Sequence, residues 1–201
     1  MANLAGSYRA LGRLDDAVKI DEEVLELTRR ILPEDHPHIA TAMANLAVSY
    51  HSLGRLDDAV KIEEEVLEMR RRILPEGHPK IATAMAGLAV SYSSLGRLDD
   101  AVKMKEEVLE LRRRILPGPP SILPGLWPSI ATAMAHLAVS YYDLGRLDNA
   151  VKIEEEVLEM RRRILLEDHP DIATAMAHLR CSVLPLQRPT GNVIWAGLTM
   201  Q

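Results

Sequence analysis

The chain has 201 residues, 47% hydrophobic and 26% charged, a balance that excludes a disordered chain. A formal charge of −5 excludes the clustered cationic surface of a general nucleic-acid binder. Phe is absent and aromatics make up 3%, so the core has to be built from Leu, Ile, Val, Met and Ala, which favours an all-α protein.

The first predicted element, MANLAGSYRA, aligns with a later copy that places Met43 where Met1 stands, so this helix lacks its initial turns. Gly12 closes it, and a second helical pattern follows from Arg13 to Leu32. A full copy of the pair comes next. In HPHIATAMANLAVSYHSLG (His36–Gly54), Met43, Leu46, Ala47 and Tyr50 fall at i, i+3, i+4 and i+7, the spacing of one buried helical stripe. In RLDDAVKIEEEVLEMRRRIL (Arg55–Leu74), Leu56, Ala59, Val60, Ile62, Val66, Leu67 and Met69 form such a stripe, and Ile73 and Leu74 extend it. A third pair brings Gly96, 42 residues after Gly54 as Gly54 is after Gly12. The spacer LPGPPSILPGLWPSI (Leu116–Ile130) then carries seven extra residues, an insertion placed at 117–128. Its prolines and glycines exclude helix and leave Trp127 in solvent, as a tolerated loop or a partner-binding tip. The fourth pair contains Gly145, and a fifth first-helix starts at Pro170. The repeat ends at Leu179; Pro185, Pro189 and Gly191 interrupt helix in the irregular segment 180–201. Residues 1–179 are therefore an array of about four and a half units.

The punctuation fits paired helices. Pro37 and Pro79 stand where a helix begins and its N–H would be unpaired anyway, while Gly54 gives freedom to the turn between partners. Asp57 and Asp58 start the second helix and Arg70, Arg71 and Arg72 end it, each sign matching the helix dipole. Glu68 is spaced to pair locally with Arg71 and Arg72, and the Glu63–Glu65 run reads as a solvated face. One such hairpin cannot cover its apolar side; stacking on its neighbours does.

Met43, Leu46, Ala47, Tyr50, Gly54, Leu56 and Ala59 stand at the spacing of the tetratricopeptide repeat, which the chain resembles over about Met1 to Leu179. The period and the His-Pro turn are similar to the long-helix variety of kinesin light chains and of sensor arrays in fungal NLR-like NTPases. Glu63 stands in place of the usual aromatic, Val66 in place of Ala and Arg71 in place of the closing Pro. The resemblance implies an α-α superhelix (solenoid) of stacked antiparallel hairpins, with a concave groove lined by the first helices.

The copies differ mainly on one arc of those helices, turned away from the buried stripe. Asn3, Asn45, Gly87, His136 and His178 are equivalent, as are Arg9, His51, Ser93 and Tyr142, and Ala10, Ser52, Ser94 and Asp143. In the resembling family this arc faces the groove. The candidate partner-binding residues are thus Thr41, Asn45, Val48 and His51; Thr83, Gly87, Val90 and Ser93; Thr132, His136, Val139 and Tyr142; and Thr174 and His178. The threonines bring hydroxyls, the valines an apolar floor, and Asn and His hydrogen bonds to an extended peptide. Cations are scarce there, unlike the grooves that clamp a chaperone's carboxylate or an acidic cargo peptide.

Other chemistry is not indicated. His36, His78 and His169 precede prolines in turns and read as structural. His178 and Cys181 have helical spacing, but two ligands do not make a zinc site. There is no phosphate-binding G-x-x-x-x-G-K-[ST], and the repeated Glu run lacks the distinct environments of an acid–base pair. No enzyme activity, cofactor or metal is expected. One cysteine, no signal-peptide pattern and no apolar stretch of membrane-spanning length point to the cytoplasm. The expected function is a protein–protein interaction scaffold binding a peptide or protein, as the sensor array of a larger NLR-like signalling protein or, alternatively, as a stand-alone cytosolic cargo adaptor. Both ends lack a polar capping helix, which suggests a fragment of a longer protein.

Overall fold

A computed structural model describes residues 2–115, 127–165 and 169–186. Nine helices occur among them: α1 (Ala2–Ala10), α2 (Leu14–Ile31), α3 (Pro37–Ser52), α4 (Leu56–Ile73), α5 (Pro79–Ser94), α6 (Leu98–Ile115), α7 (Trp127–Asp143), α8 (Leu147–Ile164) and α9 (Pro170–Leu186). Each packs mainly against the helices before and after it in the chain, and α1 also reaches α3. The architecture is the expected all-α solenoid, with first helices at odd numbers and second helices at even ones.

The turn inside each unit follows from one glycine. In the second unit Leu53 ends α3 and Gly54 adopts φ +81°, a left-handed conformation that other residues resist. Gly54 N–H then bonds the His51 carbonyl at 3.0 Å and Arg55 N–H the Tyr50 carbonyl at 2.9 Å, the paired bonds of a Schellman ending. The chain leaves this turn directly into α4. Arg55 caps that helix without a side-chain bond to the backbone; its guanidinium lies 4.2 Å over the Tyr50 ring and bonds Asp58 at 2.6 Å.

The turn between units uses histidine. His36 precedes Pro37, and its Nδ1 accepts the His38 N–H at 3.2 Å; His78 does the same for Lys80 and His169 for Asp171. These rings satisfy an orphan donor of the first turn, as Ser or Asp commonly does.

The core is aliphatic, as the composition requires. Met43, Leu46, Ala47 and Tyr50 are buried with Ile39 of the same helix, and Ala59, Val60, Val66 and Leu67 close on them from α4. The apolar seam runs from α2 to α6, and Val102 and Leu109 of α6 open a second seam with α7, α8 and α9.

Two boundaries differ from the sequence expectation. Helix α7 starts at Trp127, inside the spacer expected to exclude helix, because Pro128 falls in a first turn where its missing N–H costs nothing. Helix α9 runs past Leu179 to Leu186, into the segment expected to be irregular, and stops one residue beyond Pro185. The rest of the insertion, 117–126, and of the tail, 187–201, lie outside the described residues.

Candidate functional site

The sequence-selected arc is placed along one side of α3, α5, α7 and α9. Thr41, Thr83, Thr132 and Thr174 are exposed, while Asn45, Gly87, His51 and Ser93 are half-buried and His136 and His178 exposed. The hydroxyls of Thr41, Thr83 and Thr174 donate to the carbonyls of Pro37, Pro79 and Pro170 at 3.1, 3.0 and 3.0 Å, so each keeps lone pairs but not its proton for a ligand. Val48 is 48% exposed, Val90 53% and Val139 44%, a line of apolar side chains at the same position of three successive first helices. Tyr142 continues it at 43% exposure. His51 Nε2 lies 3.0 Å from Ser94 Oγ, joining the arcs of the second and third units. Burial lowers the His136 pKa, as do the nearby Lys105 and Arg112 charges, so this ring is biased to the neutral form at neutral pH.

Beneath the arc lies a feature the sequence reading missed. Asp21, Glu63, Lys105 and Glu154 occupy one equivalent position in the second helices, where the resembling family carries its aromatic. Asp21 is 1% exposed and Glu154 6%. Asp21 accepts from Arg9 at 3.0 Å and from Ser49 at 2.6 Å, and Arg9 also donates to Ser49 at 2.8 Å. Lys105 donates to the Ser140 hydroxyl and the His136 carbonyl. Glu63 is hydrogen-bonded by Ser91 and faces the His51 ring; burial raises its pKa against those two opposing influences. One oxygen each of Asp21, Glu63 and Glu154 has no hydrogen-bond partner within the described residues. A visible signal was the sign change at Lys105 in an otherwise constant helix.

The neighbouring carboxylates of the Glu run are not a merely solvated face. The second accepts from the next unit's tyrosine: Tyr50 donates to Glu22 at 2.7 Å, Tyr92 to Glu64 at 2.5 Å, and Tyr141 to Glu106. The third pairs with an arginine of the preceding unit, Glu107 with Arg71 at 3.0 Å and Glu156 with Arg113 at 3.6 Å. The arginines likewise depart from the local pairing expected with Glu68. Arg70 is buried, its pKa lowered by burial, and donates to the Lys80 carbonyl at 3.0 Å; Arg72 reaches Asp35 in the preceding turn. Local pairs form instead at Arg114–Glu110 and Arg163–Glu159. The exposed pairs each add little; their value is in fixing how units register.

Among the described residues no group of three or more His, Cys, Asp or Glu could hold a metal ion. No helix among them is long and apolar enough to cross a membrane.

One sequence profile of the tetratricopeptide repeat matches residues 1–72, and a second matches 81–121 and 130–171. No curated protein matches the chain. Among solved structures, the chain is similar to nearly identical TPR-like repeats of a Podospora anserina protein assigned as a kinesin light chain, at 24% identity and TM-score 0.79, over 90% of this chain and 82% of that one. A glutamine-to-methionine variant of the same repeats gives 24% and 0.78, over 90% and 82%. BtubC (BKLC) from P. vanneervenii gives 23% and 0.71, over 89% of this chain and 68% of that one.

Proposed function

Since the chain belongs to the tetratricopeptide repeat family, and is in that sense a protein–protein interaction scaffold, we propose that its first-helix arc is a groove holding an extended segment of a protein partner. The observation that carries this reading is the exposed line Val48, Val90 and Val139, apolar side chains left in solvent at one recurring position, with Tyr142 exposed three residues beyond the last. A segment in the polyproline II conformation returns a side chain to the same face every third residue and can present a row of apolar groups to such a line.

The parent function we infer is the ligand-sensing array of a larger NLR-like signalling protein. The near-identity of the copies supports it, a property shared with the Podospora anserina repeats. The second reading is a cytosolic cargo adaptor, favoured by the likeness in fold to the Podospora anserina structure described as a kinesin light chain. The full-length transcript separates the two, because an NTPase domain in the same reading frame belongs only to the first.

Groove binding is tested with random dodecapeptides displayed on phage and selected on the full chain. Tyr142→Ala combined with His136→Ala should weaken the selected peptides by ~1–4 kcal/mol without changing the helical signal, since both side chains lie outside the core. Arg30→Gln, on the exposed side of α2, should leave binding unchanged. The reverse pattern would move the binding face to the second helices.

A further inference from the structure

The buried position beneath the arc takes a different state at each of the first three junctions. Between the first and second units the slot already holds a cation: Arg9 reaches down from the arc and places its guanidinium on Asp21 and Ser49. Between the third and fourth units the cation is built into the floor, as Lys105 on Ser140 and the His136 carbonyl. The junction between the second and third units has the carboxylate without a permanent cation. His51, which stands where Arg9 does, is engaged with Ser94, and Glu63 Oε2 has no hydrogen-bond partner among the described residues.

That junction also has the smallest residue of the arc above its carboxylate. Gly87 occupies the position that carries Asn45 and His136 in neighbouring units, and a Cβ placed on it would sit 3.4 Å from Glu63 Oε1. Glycine is a poor helix former, and here it leaves no side chain between the arc and that carboxylate oxygen, a gap we treat as a notch. Glu63 remains only partly shielded, unlike Asp21.

Resting on the groove reading above, we propose that this notch receives a lysine or arginine side chain of the bound segment, pairing its cation with Glu63. The chain itself shows what such a slot accepts, because Arg9 enters the equivalent slot from the same arc and is bonded by an acid and a serine. Ser91, the counterpart of Ser49, stands ready beside Glu63. A partly desolvated carboxylate with spare acceptor capacity gains most from a charge-assisted donor. The proposal assigns a recognition element to one junction of the array: one basic residue, held in fixed register to the apolar residues over Val48 and Val90.

The test uses the same dodecapeptide selection on the full chain and on two variants. Peptides selected by the native chain should share one Lys or Arg at a fixed offset from their apolar residues. Replacing that residue by Gln should weaken binding about tenfold or more to the native chain and less than about twofold to Glu63→Gln. His51→Arg should abolish the basic preference with the carboxylate intact, by placing an internal guanidinium where Arg9 stands. Enriched peptides without a basic position, or a basic preference that survives in both variants, would overturn the proposal while leaving the groove reading standing. No enrichment at all would remove the groove reading and this inference with it.

Discussion

Replacing Tyr92 by Phe removes one hydroxyl from the junction of the second and third units and keeps the ring beneath Arg97. The phenol is 7% exposed and donates to Glu64 at 2.5 Å. Burial, then the bond to Glu64 and its charge, push its pKa from 10.0 up to about 12. At about 1.4 kcal/mol per unit the protonated form is favoured by at most ~2.7 kcal/mol. Glu64 is 48% exposed and regains water when the hydroxyl is lost, so the expected loss at neutral pH is nearer ~1–1.5 kcal/mol. Because the folded pKa lies above the unfolded one, the hydroxyl's contribution is complete below pH 10 and is lost as pH rises through about 12. Urea unfolding should therefore separate the native chain from Tyr92→Phe fully at neutral pH and progressively less from pH 10 upward. Tyr50 and Tyr141, raised by the same causes, are present in both proteins and cancel from the comparison. A separation that is zero at neutral pH, or that persists undiminished in alkali, would refute the tyrosine–glutamate junction.

Gly54→Ala should cost ~1–2 kcal/mol in urea unfolding through backbone strain alone, since nothing lies within 4 Å of the added Cβ at φ +81°. Arg9→Met, which leaves Asp21 buried without its cation, should cost ~2–4 kcal/mol; adding Asp21→Asn should recover most of it, a coupling measurable by a double-mutant cycle. His78→Ala should lose ~1 kcal/mol of stability by freeing the Lys80 N–H, whereas His78→Asn should lose much less.

The helices and their buried stripe were legible because both depend on spacing within a single element. Met43, Leu46, Ala47 and Tyr50 declare one face, and Pro37 and Gly54 declare its ends. The charged residues were not legible in the same way. Glu68 and Arg72 satisfy the local pairing rule, yet Arg72 bonds Asp35, 37 residues away, and Arg70 is drawn under the start of α5. Those choices are set by the offset between stacked units, which no pattern inside one helix encodes. The slot position was hidden for a related reason: Asp21 and Glu63 look like members of an exposed acidic run, and only the serines arriving from other helices, joined at Asp21 by Arg9, distinguish them. The arc residues were identifiable as a set because the copies share packing demands. His51 nevertheless turns to Ser94, and three of the threonine protons go to the backbone, since local acceptors are nearer than any ligand.

The tyrosine–glutamate bonds connect residues 28 apart at the first two junctions, and the same bond spans 35 at the junction that carries the insertion. Each unit thus needs only its immediate predecessor to settle, and the loop length between them is almost immaterial. A chain with this wiring can assemble in the order it is synthesised. Every hairpin, on leaving the ribosome, finds its seat already formed by the one before it, and the growing end is the only part waiting for a neighbour.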